Sequence, residues 1–142
     1  MNTGPVVIVT GASGGTGNAL ALAYAQKGFS VAAVDQDEAG LKRLESMWQP
    51  WYPEYASFPG DLADPEFLLF LVDSVVKKWG RIDVLINNAA WRTLETLRTI
   101  SMDNWEKTIR ICLTAPAFLT KYVCKEMEAA NIKGVVINIG SV

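Results

Sequence analysis

Five short apolar runs, at residues 6–9, 31–34, 55–58, 84–86 and 135–139, divide the chain into segments whose apolar residues recur instead at helical spacing. Each run is too short for a helix and, in most cases rich in Val and Ile, lacks the polar alternation of a half-solvated strand. It suits a strand covered on both faces, as in a parallel sheet. Strands alternating with helices, under the rule that crossovers are right-handed, leave few topologies. The pattern predicts an α/β fold: a doubly wound parallel sheet of about five strands with helices on both faces, forming one domain over residues 1–142 without repeats or low-complexity tracts.

The helices are marked by residues with a physical reason to be there. Asp64-Pro65-Glu66 supplies an N-cap acceptor, a proline at the first helical position and an acid in the first turn. Leu68, Leu71, Val72, Val75, Val76 and Trp79 then keep one face apolar, Lys77 and Lys78 occupy the last turn, and Gly80 ends it. A shorter helix is expected over 37–48, followed at 48–53 by a loop whose Trp48, Trp51 and Tyr52 either form a ligand surface or, as we prefer, pack beneath the loop. The longest helix is expected from Ser101 to about Ala130. Its middle, with Ile109, Ile111, Leu113, Ala115, Phe118, Leu119 and Val123, is apolar nearly all round, which predicts burial inside the fold or against a partner subunit.

Half of the 142 residues are hydrophobic, enough to build a core, and the 13 basic and 15 acidic residues leave a net charge of −2. No Lys/Arg run exceeds a pair, so nucleic acid is not an expected partner. No apolar stretch approaches the ~20 residues that span a bilayer, and no signal-peptide pattern opens the chain, so no membrane association and a cytoplasmic location are expected. Cys112 and Cys124 fall on the same expected helix about three turns, ~18 Å, apart, too far for a disulfide. With no histidine and no carboxylate cluster, neither a metal site nor a histidine-based triad is expected.

The chemistry concentrates behind the first strand, in Thr10-Gly11-Ala12-Ser13-Gly14-Gly15-Thr16-Gly17. A buried strand runs into a turn where glycines let backbone N–H groups approach a diphosphate, and a helix begins with unpaired donors and a partial positive charge facing the anion. This is a dinucleotide site of Rossmann type, although the glycines at 11, 15 and 17 depart from the commonest Gly-x-Gly-x-x-Gly spacing. A glycine-rich turn in another kind of α/β protein is the alternative. Asp35 stands 24 positions after Gly11 at the end of the second strand, where an acid would accept hydrogen bonds from the adenosine ribose and repel a 2′-phosphate. A capping or loop aspartate is the alternative there. Asp61-Leu62 and Asn87-Asn88-Ala89-Ala90 place polar or small residues at the ends of the third and fourth strands, the edge along which open α/β sheets bind ligands.

With these motifs in order, the chain resembles the short-chain dehydrogenase/reductase family over essentially its whole length. The turn is similar to the family's Thr-Gly-x-x-x-Gly-x-Gly, and Asp61-Leu62 to its adenine-contacting pair. Asn87-Asn88-Ala89-Ala90 is similar to its Asn-Asn-Ala-Gly, with Ala90 in place of the last glycine. The resemblance implies cofactor contacts at Gly11, Ser13, Gly14, Gly15, Thr16, Gly17, Asp35, Asp61, Leu62, Asn88, Ala89 and Ile111. Val136-Ile137-Asn138-Ile139-Gly140-Ser141 resembles the strand that ends in the family's catalytic serine, which implies that Ser141 orients a substrate carbonyl or hydroxyl.

Two departures stand beside these matches. The family's general acid/base is a tyrosine four residues before a lysine, on a helix following the strand at 135–139, and no Tyr-x-x-x-Lys occurs in these 142 residues. Cys112 occupies the position of the family's catalytic asparagine. That asparagine is understood to act largely through its backbone carbonyl, and Pro116, four residues on, has no N–H to occupy the carbonyl of Cys112 and tends to kink the helix. A small buried Cys112 beside an incidental kink is the alternative.

The resulting expectation is the cofactor-binding portion, a truncated form, of an NAD-dependent oxidoreductase that moves a hydride between nicotinamide and a small-molecule alcohol or carbonyl. NAD is expected over NADP, because neither Gln36 nor Gly14 is basic. A non-catalytic dinucleotide-binding sensor or partner protein is the main alternative; a nucleotide-sugar epimerase or a methyltransferase is a more distant one. Self-association is expected through the edge of the strand at 135–139 and the long helix, as a homo-oligomer or less specifically.

Overall fold

The computed structural model describes residues 4–141. Five strands, β1 (Val6–Thr10), β2 (Ser30–Asp35), β3 (Tyr55–Pro59), β4 (Val84–Asn87) and β5 (Val135–Asn138), form one sheet in the order β3-β2-β1-β4-β5. Every pairing is parallel, with Val7 opposite Val31 on one side and Val84 on the other. Helices α1 (Gly15–Gln26), α2 (Glu38–Trp48), α3 (Pro65–Trp79), α4 (Met102–Ile109) and α5 (Ala115–Ala129) provide the crossovers. The doubly wound arrangement follows from the strand order reversing at β1: the chain moves outward through β2 and β3, then returns to start β4 on the other flank.

Alternate side chains of each strand enter different cores. Val6 and Ile8 of β1 join Ala32, Val34, Leu71, Val75, Leu119 and Val123 beneath α3 and α5. Val7 and Val9 join Val31, Ala33, Ala21, Ala25, Leu41 and Tyr55 beneath α1 and α2. Because both faces are covered, β1 is buried at all five positions, which is why it reads as an unbroken apolar run.

Three helices are closed at their N-termini by a side chain. Asp37 accepts from Gly40 N at 3.0 Å, Asp64 from Glu66 N at 3.0 Å with Pro65 in the first turn, and Ser101 from Asn104 N at 3.1 Å. Helix α1 differs: its N-cap is Gly14 and no side chain caps it.

The long helix departs from expectation twice. It is interrupted by a π-helical turn, Arg110–Thr114, in which Ala115 N donates to Arg110 O five residues back. Pro116 foreshadows this, since an imide cannot continue the ordinary ladder. Nor is the helix buried all round. Ile111, Ala115, Leu119, Val123 and Met127 form one buried stripe, α4 buries nothing, and Trp105, Ile109, Leu113 and Phe118 are exposed. The sheet can cover only one side of a helix lying on its face, so the remaining apolar residues meet solvent. The aromatic loop is also corrected in part: Trp48 and Tyr52 pack against the core beneath α1 and α2, while Trp51 is 77% exposed.

Candidate functional site

The C-terminal ends of β1 to β5 carry a trough made of three adjoining clefts. Its centre is the turn after β1. Gly11 has φ of +67°, and a Cβ there would lie 3.0 Å from both Ala89 Cα and Asn88 Nδ2. A Cβ on Gly17 would fall 2.0 Å from Gly11 O, so the first turn of α1 can pack onto the end of β1 only without a side chain. By contrast, nothing lies within 4 Å of a Cβ on Gly15, and Gly14 meets only Gly11 O at 3.6 Å. The turn is thus tight inward at Gly11 and Gly17 and open outward at Gly14 and Gly15. The open side faces a cleft of about 360 Å3 lined by Ser13, Gly14, Gly15, Thr16, Asp35 and Asn88.

A polar clamp fixes this geometry. The buried Thr10 hydroxyl accepts from Asn88 N and Ala89 N, each at 3.0 Å, and donates to Ile86 O at 3.4 Å. The Asn88 amide donates to Thr10 O at 3.1 Å and Gly11 O at 3.4 Å. Asn88 lines the trough as expected, but its NH2 group is engaged in bracing β4 against β1.

Asp35 lies at the mouth of β2, where Oδ2 accepts from Ser13 N at 3.1 Å and Oδ1 from Asp37 N at 3.0 Å. A carboxylate offers about four lone-pair sites, so each oxygen retains capacity for a further donor. Asp35, Gln36, Gly60, Asp61, Leu62, Ala89, Ala90 and Ile111 line a second, narrower cleft of about 80 Å3, and none of the residues lining it is basic. The expected residues Leu62 and Ile111 are buried, and Asp61 turns its Oδ1 back to accept from Ala63 N at 2.9 Å.

The third cleft, about 700 Å3, opens between β4, β5 and the π-helical turn, and brings Cys112 and Ser141 to one space with Asn88, Pro116 and Thr120. Asn87 forms part of its floor: Nδ2 donates to Asn138 Oδ1 at 2.9 Å, joining the ends of β4 and β5, while its buried Oδ1 has no partner among the described residues. Cys112 is exposed, which sets aside its reading as a small buried hydrophobe. Its thiol meets the backbone of Trp91, accepting from Trp91 N and donating to Trp91 O, both at 3.4 Å.

Every residue expected at the site lies on this trough. Trp91 was not foreseen: it lines the narrow cleft, and Lys107 Nζ sits 3.8 Å from its ring centroid. The available signal was an aromatic residue directly after Asn87-Asn88-Ala89-Ala90, at a strand end that faces ligand.

The arrangement fits a dinucleotide. An uncapped helix N-terminus presents orphan N–H donors to the open cleft, suited to a diphosphate. A carboxylate with spare acceptor capacity stands beside it, suited to ribose hydroxyls. Among the described residues, no group of three His, Cys, Asp or Glu could hold a metal ion, and no helix is long and apolar enough to cross a membrane.

Comparison with known proteins agrees with this geometry. The chain is 34% identical over 138 residues to D-threitol dehydrogenase of Mycolicibacterium smegmatis, covering 97% of this chain and 53% of that protein. It is 28% identical over 142 residues to glucose 1-dehydrogenase 2 of Bacillus subtilis, covering 99% and 55%. Among solved structures, a metagenomic short-chain oxidoreductase in complex with NADP superposes with a TM-score of 0.90 at 32% identity, covering 99% of this chain and 62% of that one. A short-chain dehydrogenase from Streptomyces avermitilis gives 0.86 at 27% identity, covering 98% and 50%. The chain spans about half the length of the curated relatives it matches. The family model described as short chain dehydrogenase matches residues 5–142, and with the parallel sheet, the glycine turn and the strand-end motifs in their places, the chain belongs to the short-chain dehydrogenase family.

Proposed function

We propose that residues 1–142 are the cofactor-binding portion of an NAD-dependent oxidoreductase acting on a small alcohol or carbonyl compound. The observation that carries this reading is the pairing of an uncapped α1 N-terminus with Asp35 on a single cleft. Backbone N–H groups of the turn at 11–17 would hold the diphosphate. Asp35 would accept from the adenosine ribose while its oxygens stay anchored by Ser13 N and Asp37 N. Leu62 and Ile111 would flank the adenine in the narrow cleft. When bound, the dinucleotide supplies or accepts a hydride at its nicotinamide ring.

Ser141 stands on the wide cleft, where its hydroxyl would hold the substrate oxygen. Oxidation of an alcohol also releases its hydroxyl proton, and an ordinary serine hydroxyl is too weak a base to take it. These 142 residues contain no histidine and no Tyr-x-x-x-Lys, so they supply binding and orientation rather than the proton acceptor. General acid/base assistance is typically worth ~10²- to 10⁴-fold, so the 142-residue polypeptide should bind cofactor far better than it turns over.

The preference for NAD rests on charge. An added 2′-phosphate would meet the Asp35 carboxylate in a cleft with no basic lining residue. Calorimetric titration should show NAD binding at least about tenfold more tightly than NADP, a difference of ~1.4 kcal/mol, with Asp35→Ala narrowing the gap. Equal affinity for the two in the unsubstituted chain would remove Asp35 from this role.

A further inference from the structure

The narrow cleft beside Asp35 and the wide cleft beside Ser141 meet along Ala89 and Ala90, which line both, and beside them a residue pair joins the two. Trp91 lines the first and Cys112 the second, and the two contacts between the Cys112 thiol and the Trp91 backbone tie them together. Trp91 is held from another side by Lys107 of α4, whose ammonium lies 3.8 Å from the ring centroid, within the range of a strong cation–π contact. The indole Nε1 is buried without a partner among the described residues. A buried donor left unpaired is unfavourable, so Trp91 keeps this place at a local cost, its backbone tied by Cys112 and its ring by Lys107.

The thiol at 112 suits this task for a specific reason. Trp91 presents both a backbone N–H and a C=O toward helix residue 112, so the partner must accept one hydrogen bond and donate another. A thiol does both, weakly and at sulfur distances; an amide does both more strongly; a methyl group does neither. The exposed position of Cys112 means that packing alone does not require a residue of its shape.

We propose that Cys112 is a positioning residue that fixes Trp91 as the wall of the adenosine-side cleft, with Lys107 as the second hold. This rests on the dinucleotide reading given above. Trp91 touches the cofactor, whereas Cys112 acts through it. Aromatic stacking on a nucleobase is worth ~1–3 kcal/mol, which makes Trp91 a large share of adenosine recognition.

The test is calorimetric titration of the 142-residue chain with NAD and with AMP, alongside Trp91→Ala, Cys112→Ala and Cys112→Asn, each checked for an unchanged melting curve by circular dichroism. Trp91→Ala should weaken AMP and NAD about tenfold. Cys112→Ala should weaken both several-fold, and Cys112→Asn, which restores a donor and an acceptor, should recover the loss. A merely structural or volume-filling role at 112 would not yield that recovery. If the unsubstituted chain binds neither ligand, the dinucleotide reading fails and this inference falls with it. If the unsubstituted chain binds but either alanine variant binds equally well, or if Cys112→Asn fails to recover, the inference alone is overturned.

Discussion

β1 and β5 are built from nearly the same residues, Val-Val-Ile-Val-Thr and Val-Val-Ile-Asn, yet the first is buried at every position and the second is exposed at both ends. Intrinsic preference cannot account for the difference, since the same side chains favour a strand in both. Position does. β1 lies at the centre of the sheet between β2 and β4, whereas β5 pairs only with β4 and forms an edge among the described residues. A similar contrast separates β1 and β2, buried at nearly every position, from the region around α4, α5 and β5, which presents Trp105, Ile109, Leu113, Phe118 and Val135 to solvent. The glycine turn after β1 thus rests on a strand buried at every position, while the Ser141 side adjoins elements with apolar side chains open to solvent.

The contrast can be tested first where packing is tightest. Gly17→Ala places a methyl group 2.0 Å from the Gly11 carbonyl oxygen, against backbone that cannot swing aside, and should cost about 3 kcal/mol in urea unfolding. Gly15→Ala, with nothing within 4 Å, should be neutral or stabilising by about 0.5 kcal/mol, and under the proposed function should weaken NAD by placing a methyl group on the open side of the turn. Equal stability losses in the two variants would contradict the division of the turn into a packed side and an open side.

A second test exploits Tyr55 of β3, whose hydroxyl is fully buried without a partner among the described residues. Burial, reinforced by the nearby Glu45 carboxylate, pushes its pKa up to about 12 from the usual 10. Below pH 10 both folded and unfolded chains keep the proton. Between pH 10 and 12 the unfolded chain releases it first, so folding stability should fall across that window, by about 2 to 3 kcal/mol in all. Tyr55→Phe should lose this alkaline dependence, read from denaturation midpoints at pH 9, 10.5 and 12. An identical pH profile in the variant would show that the closed core is wetter than the structure indicates.

The smallest effect on folding is expected on the open side. Trp105→Glu with Ile109→Glu, both on the exposed apolar face of the long helix, should change stability by less than about 0.5 kcal/mol per site yet reduce self-association and hydrophobic-dye binding. Sedimentation of the unsubstituted chain as a clean monomer at micromolar concentration would remove the grounds for an interface there.

How far the molecule was legible in its sequence follows the same division. The apolar runs located all five strands: β1, β2 and β4, in the middle of the sheet and covered on both faces, read as runs rich in Val, Ile, Leu and Ala, while the edge strands β3 and β5 were picked out by short apolar runs between helical segments. Asp64-Pro65 located the start of α3 because a cap and a proline act within a few residues of themselves. Features that depend on distant neighbours were harder to read. The exposure of Leu113 and Phe118 depends on which side of the helix the sheet covers, and the engagement of Asn88 with Thr10 and Gly11 depends on β4 lying beside β1. Trp91 escaped notice because its two holds, Cys112 and Lys107, are 21 and 16 positions away and meet it only after the helix has docked.

The π-helical turn at Arg110–Thr114 has a consequence for phase. One extra residue in a helical turn advances every later side chain by about 100°. With that offset, Ile111 lines the narrow cleft and Cys112 the wide one, while Ala115, Leu119, Val123 and Met127 stay buried in the core. Removing a single residue from the turn would restore an unbroken α-helix and rotate α4 by that angle relative to α5. Lys107 would then swing away from Trp91, and the helix could serve the core or the trough, but no longer both.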